Sequence, residues 1–412
     1  MTNINLEMNL ENSGISSSVT RRSVNDIIYM LALTIGLIHY MIPETTLDVP
    51  TIDFFLKVLM FLLLTVQLVV VVHRYTPTLQ LLIVLLFPIV VLIGASTTRW
   101  GAVYSLYVLV IGAKDIDFKK ILKVYFRVGA FICISVVSLS LAGVIENKGI
   151  FFESHGFSES AVIRYCMGYI WPTDFATHVF FILLSYWLLK DGRMTGLRIL
   201  FFLLISYLVF YYTNAMLGTG CVLLLIFASF FVRLNFKMKS RILKHKIIVC
   251  LLRVFWVSYI PFMFFLSVWL TASYDSRDIF WIALNAMMTG RLSISQEALQ
   301  SEGFAWFGQE FKMMGGETAS GLYNYIDSAY LQSFIIYGII FSCILLLSYI
   351  YLCNKAYKAH NYPFLYAVLV AGVSGFIAQH FLQIFMNPLL IALTASNVGF
   401  SEKSGSTQKK NN

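Results

Sequence analysis

Two arginines set in aromatic, glycine-bearing runs are the residues best suited to chemistry. Arg164 opens the run Arg164-Tyr165-Cys166-Met167-Gly168-Tyr169-Ile170-Trp171-Pro172-Thr173-Asp174, with His178 shortly after. Arg291 follows Gly290 and precedes Ala298 and then Trp306-Phe307-Gly308-Gln309-Glu310. The same stretch ends on Asp327-Ser328-Ala329-Tyr330-Leu331, and Gly338 follows. A guanidinium is permanently charged, and its planar donor fork matches phosphate oxygens, so a pair of them suits a diphosphate. Tyr169, Trp171, Phe304, Trp306, Phe307, Tyr323, Tyr325 and Tyr330 offer flat apolar faces on which a sugar or a lipid headgroup can rest. Asp174, His178, Glu297, Glu310 and Asp327 are the candidates for a general base, and the sequence does not choose among them. Each residue also has a plainer reading. Asp174 and Asp327 stand at expected helix starts, where an aspartate caps free N–H groups. His178 and His380 fall inside apolar runs, where an imidazole either serves function or bonds between helices. Tyrosine and tryptophan gather at membrane boundaries in any case.

The elements that must carry these residues are membrane helices. Of 412 residues 58% are hydrophobic and only 12% charged, far from the composition of a soluble domain. The apolar residues come in runs of roughly 17–25, the length that crosses a hydrocarbon core of about 30 Å as helix. The expected spans are 27–42, 53–72, 78–96, 100–113, 121–145, 174–190, 196–212, 214–232, 247–272, 328–353, 363–383 and 385–397, the fourth and last being short. Pro88 and Pro261 lie inside spans and are expected to kink them. The net charge of +9 does not point to nucleic acid, because the basic residues sit in short connections between spans. They cluster on alternate connections, above all 233–246, which by the positive-inside rule places both termini in the cytoplasm. Residues 1–24, ending near Arg21-Arg22, and 398–412 read as disordered tails around a single bundle, 25–397. Two long connections, 146–173 and 273–327, face outward, and loops of that length are uncommon without a job. Within the second, Asp278–Met288 is apolar on most faces and reads as a short helix lying in the interface. The six cysteines show no metal-binding spacing and no external disulfide pair, so cysteine chemistry is not expected.

On three motifs the chain resembles the Wzy-type polysaccharide polymerases, membrane enzymes that join lipid-linked repeat units into O-antigen, capsule or exopolysaccharide. The motifs are Arg164, Gly168, Pro172 and Thr173-Asp174; Gly290-Arg291, Ala298 and Phe307-Gly308; and Asp327, Tyr330, Leu331 and Gly338. The Pro172-Thr173-Asp174 form looks like the Gram-positive exopolysaccharide branch. The resemblance implies an all-α, polytopic bundle of about 11–12 transmembrane helices, GT-C-like, in the cytoplasmic membrane. It implies glycosyl transfer with no metal, no cofactor and no nucleotide sugar. An acceptor hydroxyl attacks the anomeric carbon of the growing chain, and undecaprenyl pyrophosphate leaves, its charge stabilised by Arg164 and Arg291. Partners implied are the lipid-linked oligosaccharide, membrane lipids, a flippase and a chain-length regulator. Two positions depart from the pattern. The turn Thr213-Asn214-Ala215-Met216 lacks the arginine many relatives carry, and Gln379 stands where many carry glutamate. Two other activities remain open. An O-antigen-type ligase usually shows a histidine in its second large loop, and 273–327 has none. A transporter of lipid-linked sugars often shows internal repeats, and none is visible here. A non-catalytic scaffold is the fourth reading.

Overall fold

Proline and capping side chains start many of the helices. The computed structural model describes residues 24–152, 162–242, 246–315 and 324–400. The expected tails up to 23 and from 401, with Arg21, Arg22 and Tyr323, lie outside them. The chain runs α1 (Val24–Glu44), α2 (Pro50–Val72), α3 (Pro77–Thr97), α4 (Trp100–Gly112) and α5 (Phe118–Leu141). A hairpin of β1 (Gly149–Phe152) and β2 (Val162–Tyr165) precedes α6 (Pro172–Leu189), α7 (Gly196–Thr213), α8 (Met216–Ile242) and α9 (Lys246–Ser273). Two short helices, α10 (Ile279–Met287) and α11 (Arg291–Glu302), lie in the second long loop. The single turn α12 (Ala329–Leu331) runs through a π-helical turn, Gln332–Ile336, toward α13 (Gly338–Lys358), and α14 (Tyr362–Gly375) follows. Pro50, Pro77, Pro172 and Pro363 sit in first turns, where the missing N–H would be unpaired anyway. Asp117, Asp278 and Asn361 cap α5, α10 and α14 by accepting from Lys119 N at 2.7 Å, Phe280 N at 2.8 Å and Phe364 N at 3.1 Å. Pro88 and Pro261 lie within helices that run on through them.

Among the described residues eight helices are long and apolar enough to cross a membrane: α1, α2, α3, α5, α7, α8, α9 and α13. The protein is therefore an all-α, multi-pass membrane protein. The helices differ in which face they bury. On α2 only Met60, Leu64, Gln67 and Val71 are buried, while Phe54, Phe55, Leu62 and Val69 point outward. α7 shows the same one-sided pattern. In contrast α6 and α14 are buried on nearly every face, the signature of a helix enclosed by others. α6 packs between α5 and α8, and α14 packs on α8 and α13. Close approach of α8 depends on Gly218, where an added Cβ would stand 2.9 Å from the Ala176 backbone of α6.

The last segment departs from expectation. The expected spans 363–383 and 385–397 are not two helices. α14 stops at Gly375, and the chain returns through the bundle as irregular backbone with two 3-10 turns, Gln379–Phe381 and Pro388–Leu393. Such backbone is tolerated at membrane depth only when protein surrounds it and satisfies its polar groups. Here Asn387 donates to Phe381 O at 2.8 Å and to Tyr349 Oη at 3.2 Å, Tyr125 donates to Ile384 O, and Thr394 donates to Val110 O. Ser396 then exchanges backbone bonds with Ile116 and Phe118, at 2.8 and 2.9 Å. The N-terminal turn of α1 is tied to the same end by the Lys120–Asp26 ion pair at 3.0 Å. Both ends of the described chain thus lie at one end of the bundle. That end also holds Lys114, Lys119, Lys190, Arg193, Arg198, Lys355 and Lys358, which follow or precede helices terminating there. The opposite end carries both long loops.

Candidate functional site

At that opposite end three distant segments bring polar side chains together. Pro43 tightens the end of α1 into a 3-10 turn, so that Glu44 closes the helix. The strand-like pairing of 44–46 with 168–170 fixes it there: Ile170 N donates to Glu44 O and Thr46 N to Gly168 O, both at 2.9 Å. His178 lies in the second turn of α6 and is fully buried. Asp174 stands one turn earlier, in the first turn of the same helix. His380 comes from the 3-10 turn beyond α14, whose Gly375 leaves room for the Phe381 ring that folds back on it.

The cluster is tight. His178 donates through Nε2 to Glu44 Oε2. His380 Nε2 lies 3.7 Å from the same oxygen and 3.8 Å from Asp174 Oδ1. The two imidazoles stand 5.9 Å apart at 73°, and the Tyr169 ring lies 5.0 Å from that of His178. One donor atom from each of Glu44, His178 and His380 falls within 4.8 Å of the others, so these three are the described residues that could hold a metal ion. Two imidazole nitrogens and a carboxylate oxygen form a set that suits borderline divalent cations.

The two arginines approach this mouth from separate loops. Arg164 sits on β2 opposite Ile150 and donates to Asn214 O, the left-handed residue that ends α7. Arg291 opens α11 and donates through Nε to Asp327 Oδ2 at 2.9 Å. A guanidinium opposes the positive end of a helix dipole, so its place at the first position of α11 depends on that carboxylate. The Arg164 pKa is lowered, first by burial and then by the charge of Arg291. Burial raises the Asp327 pKa from its ordinary value, and Arg291 opposes that rise without cancelling it. Asp174 lies within the field of Arg291, Asp327, His380 and Glu44 together. The loops come close to each other there: a Cβ added at Gly315 would meet the Trp171 indole at 3.5 Å.

Of the residues expected from sequence, Arg164, Arg291, Asp174, His178, Asp327 and Tyr169 converge here, with Trp171 at the rim. Others are placed elsewhere. Tyr330 is wholly buried, donates to Gly372 O at 2.9 Å and packs on Phe381, which is a core position and not a substrate surface. Trp306 is 66% exposed, and its carbonyl accepts from Ile340 N at 3.1 Å near the start of α13. Glu297 and Glu310 are exposed on the second loop. Glu44 was missed by sequence reasoning: at a helix end beside a proline it reads as a loop charge, and only the pairing of 44–46 with 168–170 brings it to His178. His380 carried a weak signal as a histidine in an apolar run. No family model, curated protein or solved structure matches the chain.

Proposed function

We propose that the protein is a membrane glycosyltransferase that polymerises oligosaccharide repeat units carried on undecaprenyl pyrophosphate, at the outer face of the cytoplasmic membrane. One observation carries the reading. Arg164 on the first long loop and Arg291 on the second stand at the same end of the bundle as Asp174, Asp327 and His178, with Arg291 bonded to Asp327 at 2.9 Å. An anion of two or more charges can bridge two guanidinium groups, and the bond to Asp327 fixes the orientation of Arg291. A diphosphate fits, and as a leaving group it needs charge stabilisation more than a proton. The acceptor hydroxyl needs a base, and Asp174 is the carboxylate at this mouth with neither an arginine nor a direct histidine hydrogen bond committed to it. The two departures from the polymerase pattern gain a sense. The 213–216 turn lacks its own arginine, but Arg164 donates to Asn214 at that turn. Gln379 replaces a glutamate and accepts from Gln332 at 3.0 Å, while Glu44 supplies a carboxylate beside the neighbouring His380. The basic end opposite the mouth agrees with a cytoplasmic location of both termini.

The test is glycan polymer length in cells carrying Arg164→Ala or Arg291→Ala, with membrane level of the protein followed in parallel. Collapse to single repeat units at normal protein level supports the reading. Full-length polymer in both variants overturns it and favours transport, for which the irregular buried return at 376–398 is the kind of element that lines a path.

A further inference from the structure

We propose that Glu44, His178 and His380 form a binding site for a divalent transition-metal cation of the zinc class, with a coordination position left open toward Asp174. The three come from α1, α6 and the return after α14, so no local hydrogen-bonding habit explains their meeting. His380 supplies the independent observation. Its side chain is 4% exposed, and neither ring nitrogen has a hydrogen-bond partner. Its Nε2 points between two carboxylates, 3.7 Å from Glu44 and 3.8 Å from Asp174. A polar nitrogen buried without a partner is costly. Those gaps are too long for hydrogen bonds and close to the spacing of ligands around one metal. With bonds of about 2.0–2.2 Å, tetrahedral ligands stand roughly 3.3–3.6 Å apart. The direct His178–Glu44 hydrogen bond opens by side-chain rotation to admit the ion. Two imidazoles with carboxylate select zinc, manganese or iron over calcium and magnesium, which prefer oxygen throughout. The Glu44 and Asp174 carboxylates balance a charge of two. Each of their side chains is 19% exposed, which gives the ion a way in from the mouth. Three protein ligands with one open position is the arrangement of a site that presents its metal to a ligand and does not bury it for structure alone.

The proposal does not depend on the polymerase reading, because metal can be measured without activity. The full chain, purified in detergent, is stripped with a chelator, loaded with zinc, desalted and assayed for bound metal. The expected result is about one zinc per chain. His380→Ala and Glu44→Gln should reduce it at least about tenfold, since loss of even an outer partner costs 10–100-fold in metal affinity. His39→Ala removes a histidine that pairs with Asp53 at 2.6 Å outside the cluster, and should retain the metal. Loading the unaltered chain with cobalt should give the visible ligand-field band of a tetrahedral site. An unaltered chain that holds no zinc beyond His380→Ala overturns the site, and so does the absence of that band, whatever the variants do to folding. If the metal binds while Arg164→Ala and Arg291→Ala still make full-length polymer, the functional reading falls and the metal site stands.

Discussion

Arg291 and Gly308 belong to one loop, yet the first is held by a side chain and the second by backbone. Arg291 reaches Asp327 at 2.9 Å, and its charge extends to Arg164 and Asp174. Gly308 has φ +83° and lies against Gly338, itself at φ +89°. Around that contact Gln309 N donates to Ile336 O at 2.9 Å, Ile339 N to Ala305 O at 3.0 Å and Ile340 N to Trp306 O at 3.1 Å. The strap 305–309 thereby satisfies N–H groups that the first turn of α13 would otherwise leave open. Its glycines serve shape, and the arginine half of the loop serves charge. Motif residues that look alike on paper therefore divide into two kinds, and substitutions should separate them.

The largest effect is expected at the backbone half. A Cβ at Gly338 would collide with Gly308 N, and the left-handed backbone adds its own strain. Gly338→Val should cost roughly 3 kcal/mol or more in stability, the sum of a strained conformation and overpacking. Thermal melting in detergent and the amount of inserted protein report it; an unchanged melting point would show that the strap is not what holds α13. Arg291→Ala should do the reverse. Activity should fall by about 10²–10³, the range for removing one donor to a developing oxyanion, with little change in melting. Arg291→Lys should restore little, because a point charge does not replace a planar fork. A variant that loses stability and activity together would place Arg291 with the structural half. A smaller effect, about tenfold in activity, is expected for Asp327→Asn, which leaves Arg291 charged and unoriented. Because burial lifts the Asp327 pKa, its protonation on acidification begins at higher pH than for an ordinary carboxylate. Activity of the unaltered protein should therefore fall as pH is lowered through that raised value, and Asp327→Asn should lose that part of the acid limb while keeping the part set by protonation of the base, Asp174. Matching acid limbs in the two would remove Asp327 from the site.

Hydropathy reads where a chain is apolar, and not what shape it takes. That is why α2, α3, α5 and α9 were legible to within a few residues, and why the final segment was not. Residues 385–397 are as apolar as a span, but Asn387 and Pro388 break the helix, and neighbours satisfy the backbone in its place. Similarly β1 and β2 are four-residue strands, too short to show a pattern. The arginine-bearing loops were legible because charge beside aromatic residues at a membrane boundary is conspicuous. The Glu44–His178–His380 cluster was not, because its members are isolated in sequence and meet only through the clamp of 44–46 on 168–170 and the break after Gly375. Tyr330 shows the opposite error. An aromatic residue next to Asp327 invites a substrate role, but its position in α12 turns it inward to Gly372.

Trp306 tests the division at its weakest point. It lies in the backbone half of the loop, but its indole is 66% exposed and only its carbonyl joins the strap. If the half around Gly308 serves shape alone, Trp306→Ala removes nothing that the strap uses. Stability should then change by no more than about 0.5 kcal/mol, and polymer output by no more than about twofold, as for an ordinary exposed substitution. A sugar resting on that ring would lose a stacking face worth about 0.5–1.5 kcal/mol, and more if the contact tightens in the transition state. A loss of output approaching that of Arg291→Ala, at unchanged melting point, would put the indole on the substrate. The boundary between the charged and the packed halves of the loop would then run through the strap itself.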